Sequence, residues 1–122
     1  MIEAFMVAIL GWLQTSSNPL AWWLIREPIM AGFWIGLIYG KPVEGIIIGA
    51  AINVAFLGWN STGGANPSDL YSAGLLGTAI AIQGNITTEQ AVVIAISLGV
   101  IGNYAWILFM SVNSIIPAFQ DK

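Results

Sequence analysis

The residues of this chain that could do chemistry are few, and most of them stand together. Asn60-Ser61-Thr62 is followed closely by Asn66-Pro67-Ser68-Asp69, between two apolar runs. Asparagine brings donors and acceptors, and an ionised aspartate brings acceptors, a set that suits the hydroxyls of a sugar. An acid near membrane depth is expensive, which makes Asp69 a functional candidate. The competing reading is an ordinary solvated loop in which Asp69 caps the helix that follows. From the residues alone both readings stand. Asn53 is the lone amide in the apolar run Gly45–Trp59, far enough inside to need a partner. It binds a ligand or, as is commoner for a single amide in a bundle, hydrogen-bonds a neighbouring helix. Asn103 takes the same reading, with less reason to be a site.

Other chemistries find no residues. The chain has no cysteine, which excludes disulfides and thiolate metal sites. It has no histidine, which excludes a histidine base, a histidine ligand and a phosphohistidine. No nucleophile–base pair or metal cluster is evident, so a self-contained enzyme is disfavoured. The net charge of −3 comes without a basic stripe, so nucleic acid has no electrostatic footprint to bind.

The elements that must position the polar cluster are apolar. Hydrophobic residues make up 57% of the 122 residues and charged residues 7%, against about a quarter charged in a typical soluble domain. The expectation is an all-α, polytopic membrane protein, a single transmembrane domain over residues 1–122. Five apolar stretches supply about four to five short hydrophobic helices: Ala4–Leu13, Pro28–Gly40, Gly45–Trp59, Leu70–Ile82 and Ala91–Met110. A straight span needs about 20 residues across ~30 Å of hydrocarbon, and only the last stretch has them. Either polar flanks lengthen the short runs, or some are half-helices or re-entrant segments of the kind transporters use. The second reading is favoured for Asn60–Asp69, where irregular backbone at depth must be buried or line a wet cavity.

Punctuation agrees with these boundaries. Thr15-Ser16-Ser17-Asn18-Pro19 reads as a polar turn, Lys41-Pro42 as the end of one helix and the start of another, and Gly63-Gly64-Ala65-Asn66-Pro67 as a break. Gly84-Asn85 is a turn signal. Thr87 and Gln90 can form a capping box for the last helix, and Pro117 is expected to close it. The start of the chain lacks the positive residues of a cleavable signal, so Met1–Leu13 reads as a retained apolar helix. Trp22-Trp23 beside Arg26 suits an interfacial belt. Small residues recur every four positions at Gly32, Gly36 and Gly40, at Gly45 and Gly49, and at Ala73, Gly77 and Ala81. That spacing makes grooves where backbones approach closely, in a helix bundle or at a subunit interface. Glu27 and Glu44 lie near helix starts, where the helix dipole favours an anion.

Taken in order, several segments resemble a known family. They are Arg26-Glu27-Pro28-Ile29 through Leu37-Ile38-Tyr39-Gly40, then Glu44-Gly45-Ile46-Ile47-Ile48-Gly49, Leu57-Gly58-Trp59 and Pro67-Ser68-Asp69. The run from about residue 5 to 119 is similar to enzyme IIC, a membrane subunit of the mannose/fructose/sorbose family of the bacterial phosphotransferase system. The resemblance implies a multi-pass subunit of the bacterial plasma (inner) membrane, working with a second membrane subunit, enzyme IID. Cytoplasmic enzymes IIA and IIB would carry the phosphate and phosphorylate the sugar as it emerges. The subunit itself would hold no cofactor and no phosphorylated or catalytic residue. By motif position, Asp69 and Asn53 are the foremost sugar contacts, followed by Asn66, with Asn60 beside them and Trp59 as an aromatic platform. The family usually shows glutamate where this chain has Asn53. The chain also corresponds to about the N-terminal half of a usual member.

The resulting expectation is a subunit of a sugar phosphotransferase permease, assembled as an oligomer, that binds a hexose-type sugar and translocates it for phosphorylation by its partners. The rival is a membrane structural or assembly subunit, or a truncated remnant, with no substrate of its own.

Overall fold

The computed structural model describes residues 1–15, 27–58 and 68–120, with side chains described for 1–13, 27–58 and 68–115. Among these residues the chain is all-helical, with five helices. They are α1 (Ile2–Thr15), α2 (Pro28–Ile38), α3 (Pro42–Phe56), α4 (Leu70–Gly84) and α5 (Thr88–Gln120). One of them is long and apolar enough to cross a membrane, over Thr88–Ile115. The other four are shorter apolar helices of the kind expected from the run lengths. At 1.5 Å per residue, α2 reaches only about 16 Å and α3 and α4 about 22 Å.

Local chemistry fixes where the helices begin and end. Pro28 and Pro42 occupy first-turn positions of α2 and α3, where a missing N–H costs nothing. Helix α2 stops at Gly40, whose φ of +70° lies in the left-handed region that glycine enters freely. The turn is closed by Lys41 N–H donating to the Gly36 carbonyl at 2.7 Å, a bond that satisfies an end-of-helix acceptor. Gly40 therefore serves the turn: a Cβ built on it would meet nothing within 4 Å, so it does not extend the groove of Gly32 and Gly36. Helix α4 ends in the same way on Asn85 at φ +49°, with Ile86 N–H donating to Ala81 O at 3.3 Å. The capping box opens α5 as the sequence indicates. Thr87 N–H donates to Gln90 Oε1 at 3.2 Å, and Gln90 N–H donates to Thr87 Oγ1 at 3.4 Å.

Pro117 does not close α5, which continues to Gln120. Proline so near a helix end removes one bond, the one Asn113 would accept, and a helix already built for many turns carries that loss. Thr15 belongs to α1, while residues 16–19 of the expected turn, the Trp22-Trp23-Arg26 cluster and the Gly63–Pro67 break lie outside the described residues.

Packing runs through small residues. Helices α2 and α3 form a hairpin with almost nothing between their backbones. A Cβ on Gly45 would sit 2.7 Å from Gly36 Cα, and one on Gly49 2.7 Å from the Pro28 carbonyl oxygen. Helix α4 crosses α2 where Gly74 meets Pro28 Cα. It crosses α5 where Gly77 meets Ala95, with Ile52 of α3 filling the corner. Ala73, Ala81, Ala91 and Ala95 are fully buried along the α4–α5 seam. The hairpin turns of α2–α3 and α4–α5 lie at one end and are joined there. Lys41 Nζ donates to Asn85 Oδ1 at 3.1 Å and pairs with Glu44 at 3.2 Å. Tyr39 is at this end too. Burial, and then the negative charge of Glu3 on α1, push its hydroxyl above the usual tyrosine range.

The outer faces are apolar. Phe5, Trp12, Val43, Val54, Ile101, Trp106 and Leu108 are all more than half exposed. A surface of this kind is unfavourable against water and neutral against lipid tails.

Candidate functional site

Asp69 is held at the start of α4 by its own helix and by α5. Its Oδ2 accepts from Ser72 N–H at 3.1 Å and from the Ser72 hydroxyl in a short hydrogen bond, and its Oδ1 accepts from Tyr71 N–H at 3.4 Å. Asp69 therefore caps α4, satisfying N–H groups that the helix itself cannot. Of the two readings open in the sequence, the cap is present in the structure. It does not exhaust the side chain. A carboxylate has about four acceptor positions, and three donors are in place. The remaining capacity lies on Oδ1, whose single bond is also the longest.

The position of this cap is set by α5. Asp69 N–H donates to the Gly99 carbonyl at 2.8 Å. A Cβ on Gly102 would lie 2.7 Å from Ser72 Cβ and 3.3 Å from Asp69 Oδ2, and one on Gly99 would collide with the Ser68 hydroxyl. The end of α4 thus rests on a flat side of α5 that only glycine provides. Gly99 is eleven residues past Thr88, about 16 Å along the span. The start of α4 lies at that level of α5.

Ser68, a member of the polar cluster Asn66-Pro67-Ser68-Asp69, adds a feature the sequence does not show. It is 2% exposed, and its hydroxyl has no hydrogen-bond partner among the described residues. Thr78, fully buried two turns into α4, is the other such hydroxyl. Buried polar groups nearly always find partners, so an orphan beside a carboxylate with an acceptor position to spare is notable. The Ser72 bond, the Gly99 and Gly102 seat and the Ser68 orphan depend on which turn of α5 meets Asp69. Sequence spacing signals that only through the four-residue recurrence of Ala91, Ala95 and Gly99.

Asn53 lies on α3, half-buried, one residue past Ile52, whose Cδ1 packs near Gly77 two turns into α4. No hydrogen bond joins Asn53 to Asp69 among the described residues. Trp59, Asn60 and Asn66 lie outside the described residues. Among those described there is no cluster of acids able to hold a metal ion. An open apolar depression of about 490 Å³ lined by Ile86, Glu89, Gln90, Val93 and Ile94 lies at the turn end, away from Asp69. It offers little hydrogen bonding to a polar ligand.

Comparison with known proteins gives a consistent result. The family model described as "PTS system sorbose-specific iic component" matches residues 1–122. A sorbose-specific EIIC component of the phosphotransferase system from Lacticaseibacillus casei is 32% identical over 95 residues, 78% of this chain and 33% of that protein. The mannose-specific EIIC component of Escherichia coli K12 is 27% identical over 119 residues, covering 98% of this chain and 44% of its own length. The N-acetylgalactosamine permease IIC component 1 of the same strain is 30% identical, with 98% and 43% covered. The chain thus spans between a third and less than half of the length of these relatives. No solved structure matches.

Proposed function

From the premise that this chain belongs to the sorbose-specific IIC family of the phosphotransferase system, we propose that it is the sugar-binding membrane subunit of a phosphotransferase permease. It takes a hexose-type sugar at the start of α4 and passes it toward cytoplasmic enzymes IIA and IIB. Enzyme IID is its membrane partner, and the complex is an oligomer in the bacterial plasma membrane. Residues 1–122 act as one multi-pass membrane domain in which α2, α3 and α4 penetrate only part of the bilayer beside the spanning α5. Asp69 accepts hydrogen bonds from sugar hydroxyls. Asn53, Asn66 and Asn60 supply further amide contacts, and Trp59 supplies an aromatic face. The chain binds and positions. The chemical step, phosphorylation that prevents the sugar's return, belongs to the partners.

The single observation that carries this reading is the placement of Asp69. A capped carboxylate with an acceptor position to spare sits at a helix start level with Gly99, about 16 Å along α5 from Thr88. Half-helix starts at mid-depth are where transporters bind polar solutes, and an acid there is costly unless it has a use.

The test is Asp69→Asn in the complex with its partners. Asparagine caps helices as well as aspartate does, so folding and assembly are retained. Replacing one acceptor oxygen with a donor should abolish binding of radiolabelled sorbose, mannose or N-acetylgalactosamine, whichever the wild-type complex takes. Unchanged uptake by the variant would refute the site. The structural-subunit alternative would need small-residue faces left open for a partner helix. The glycine faces do not favour it, because Gly32, Gly36, Gly45 and Gly49 are used up inside the α2–α3 hairpin.

A further inference from the structure

The cap at Asp69 depends on residues that do not touch its open acceptor position, and their arrangement has a consequence for affinity. Ser72 gives Asp69 Oδ2 both a backbone and a hydroxyl hydrogen bond. Those two bonds fix the rotation of the carboxylate and so the direction in which Oδ1 faces. Ser72 is itself pressed against α5, where a Cβ on Gly102 would lie 2.5 Å from its hydroxyl and 2.7 Å from its Cβ. One residue before the acid, the buried Ser68 hydroxyl faces Gly99 and has no partner among the described residues. A charged acceptor with spare capacity beside an unpartnered buried hydroxyl is a site that a polyol would complete.

We infer that Ser72 and Gly102 are positioning residues for the ligand carboxylate Asp69, with Gly102 setting the depth at which Ser72 clamps it. This rests on the reading of Asp69 as a sugar contact and adds to it a dependence on the opposite helix. Any side chain at position 102 displaces Ser72, rotates the carboxylate and misaims Oδ1, with no change in which groups are present. Misplacement of a binding group by about 1 Å is enough to cost tenfold or more in a step that depends on its aim.

The experiment measures equilibrium binding of radiolabelled sorbose, mannose and N-acetylgalactosamine to the purified complex of the chain with its membrane partner, alongside the thermal midpoint. Gly102→Ala and Ser72→Ala are each expected to weaken binding by about tenfold or more. The double variant should weaken it no further than the worse single, because both act through one carboxylate. Val43→Ala, on an exposed face near the opposite end of the helices, should leave binding unchanged. A purely structural role would lower the thermal midpoint in each single, add in the double, and leave the dissociation constant of the folded complex intact. That pattern would overturn the inference, as would unaltered affinity in Ser72→Ala should Gly102→Ala fail to fold. Loss of binding in Asp69→Asn with full binding in both single variants removes only this inference. Full binding in Asp69→Asn, or none by wild type to any of the three sugars, removes the sugar site and this inference with it.

Discussion

Replacing Gly45 with alanine should unlock the α2–α3 hairpin. Two opposing effects are set by the structure. Alanine favours a helix over glycine by about 0.8–1 kcal/mol. Against that, the new methyl would lie 2.7 Å from Gly36 Cα and 2.9 Å from Gly36 N, and would also run into the Gly32 carbonyl. Carbon atoms attract at about 3.5–4.0 Å, so the helices must separate by roughly 0.8 Å or more. All three neighbours are backbone atoms, so no side chain can swing aside. Separation would also open the neighbouring contact of Gly49 with Pro28, which lies on the same face. Overpacking of this kind costs about 1–3 kcal/mol. In lipid, where van der Waals packing rather than water holds helices together, that contact is hard to replace. With three backbone atoms in the way the packing loss lies toward the upper end and outweighs the propensity gain, for a net destabilisation of up to about 2 kcal/mol. Unfolding of the purified protein in mixed detergent micelles would measure it, with Gly58→Ala as the matched control in open space. A Gly45→Ala protein as stable as wild type would show that the backbones do not meet as described.

Two further outcomes follow from the helix ends. Asp69→Ala should lower stability by about 1 kcal/mol through loss of the cap, while Asp69→Asn leaves it nearly unchanged; equal stabilities in a thermal melt would mean that the carboxylate does not cap α4. Asn85→Ala should destabilise by about 1–2 kcal/mol, since a Cβ-bearing residue without asparagine's local bonding resists φ of +49°. Asn85→Gly should keep the turn and lose only the exposed Lys41 bond, a difference of under about 1 kcal/mol; a glycine variant as weak as the alanine one would refute the strain argument.

Much of the fold could be read from short-range chemistry. Pro28, Pro42, Gly84-Asn85 and the Thr87–Gln90 box act within a turn or two of the chain, and each marks the boundary it implies. The four-residue recurrence of glycine indicated close packing but not its partner, because the identity of a facing helix is not local information. That is why Gly40 was grouped with Gly32 and Gly36, although its backbone is needed for the turn. Pro117 misled in the other direction: a rule about helix interiors weakens where few residues remain. At the site, Asp69 was legible as either ligand or cap. Whether both apply depended on counting its donors, which needs the Ser72 hydroxyl and the Gly102 seat in three dimensions. Ser68 was legible as a member of the polar cluster but not as an unpartnered hydroxyl, which is defined by what surrounds it.

The unequal lengths of α4 and α5 have an electrical consequence. If Thr88 stands at the edge of the hydrocarbon, a carboxylate level with Gly99, about 16 Å further along α5, sits at roughly half the thickness over which the resting voltage falls. An elementary charge moved across the whole drop exchanges about 2.3 kcal/mol per 100 mV, so one halfway along feels about 1 kcal/mol. A charged residue introduced or removed at the start of α4 would therefore couple to the membrane voltage with roughly that weight.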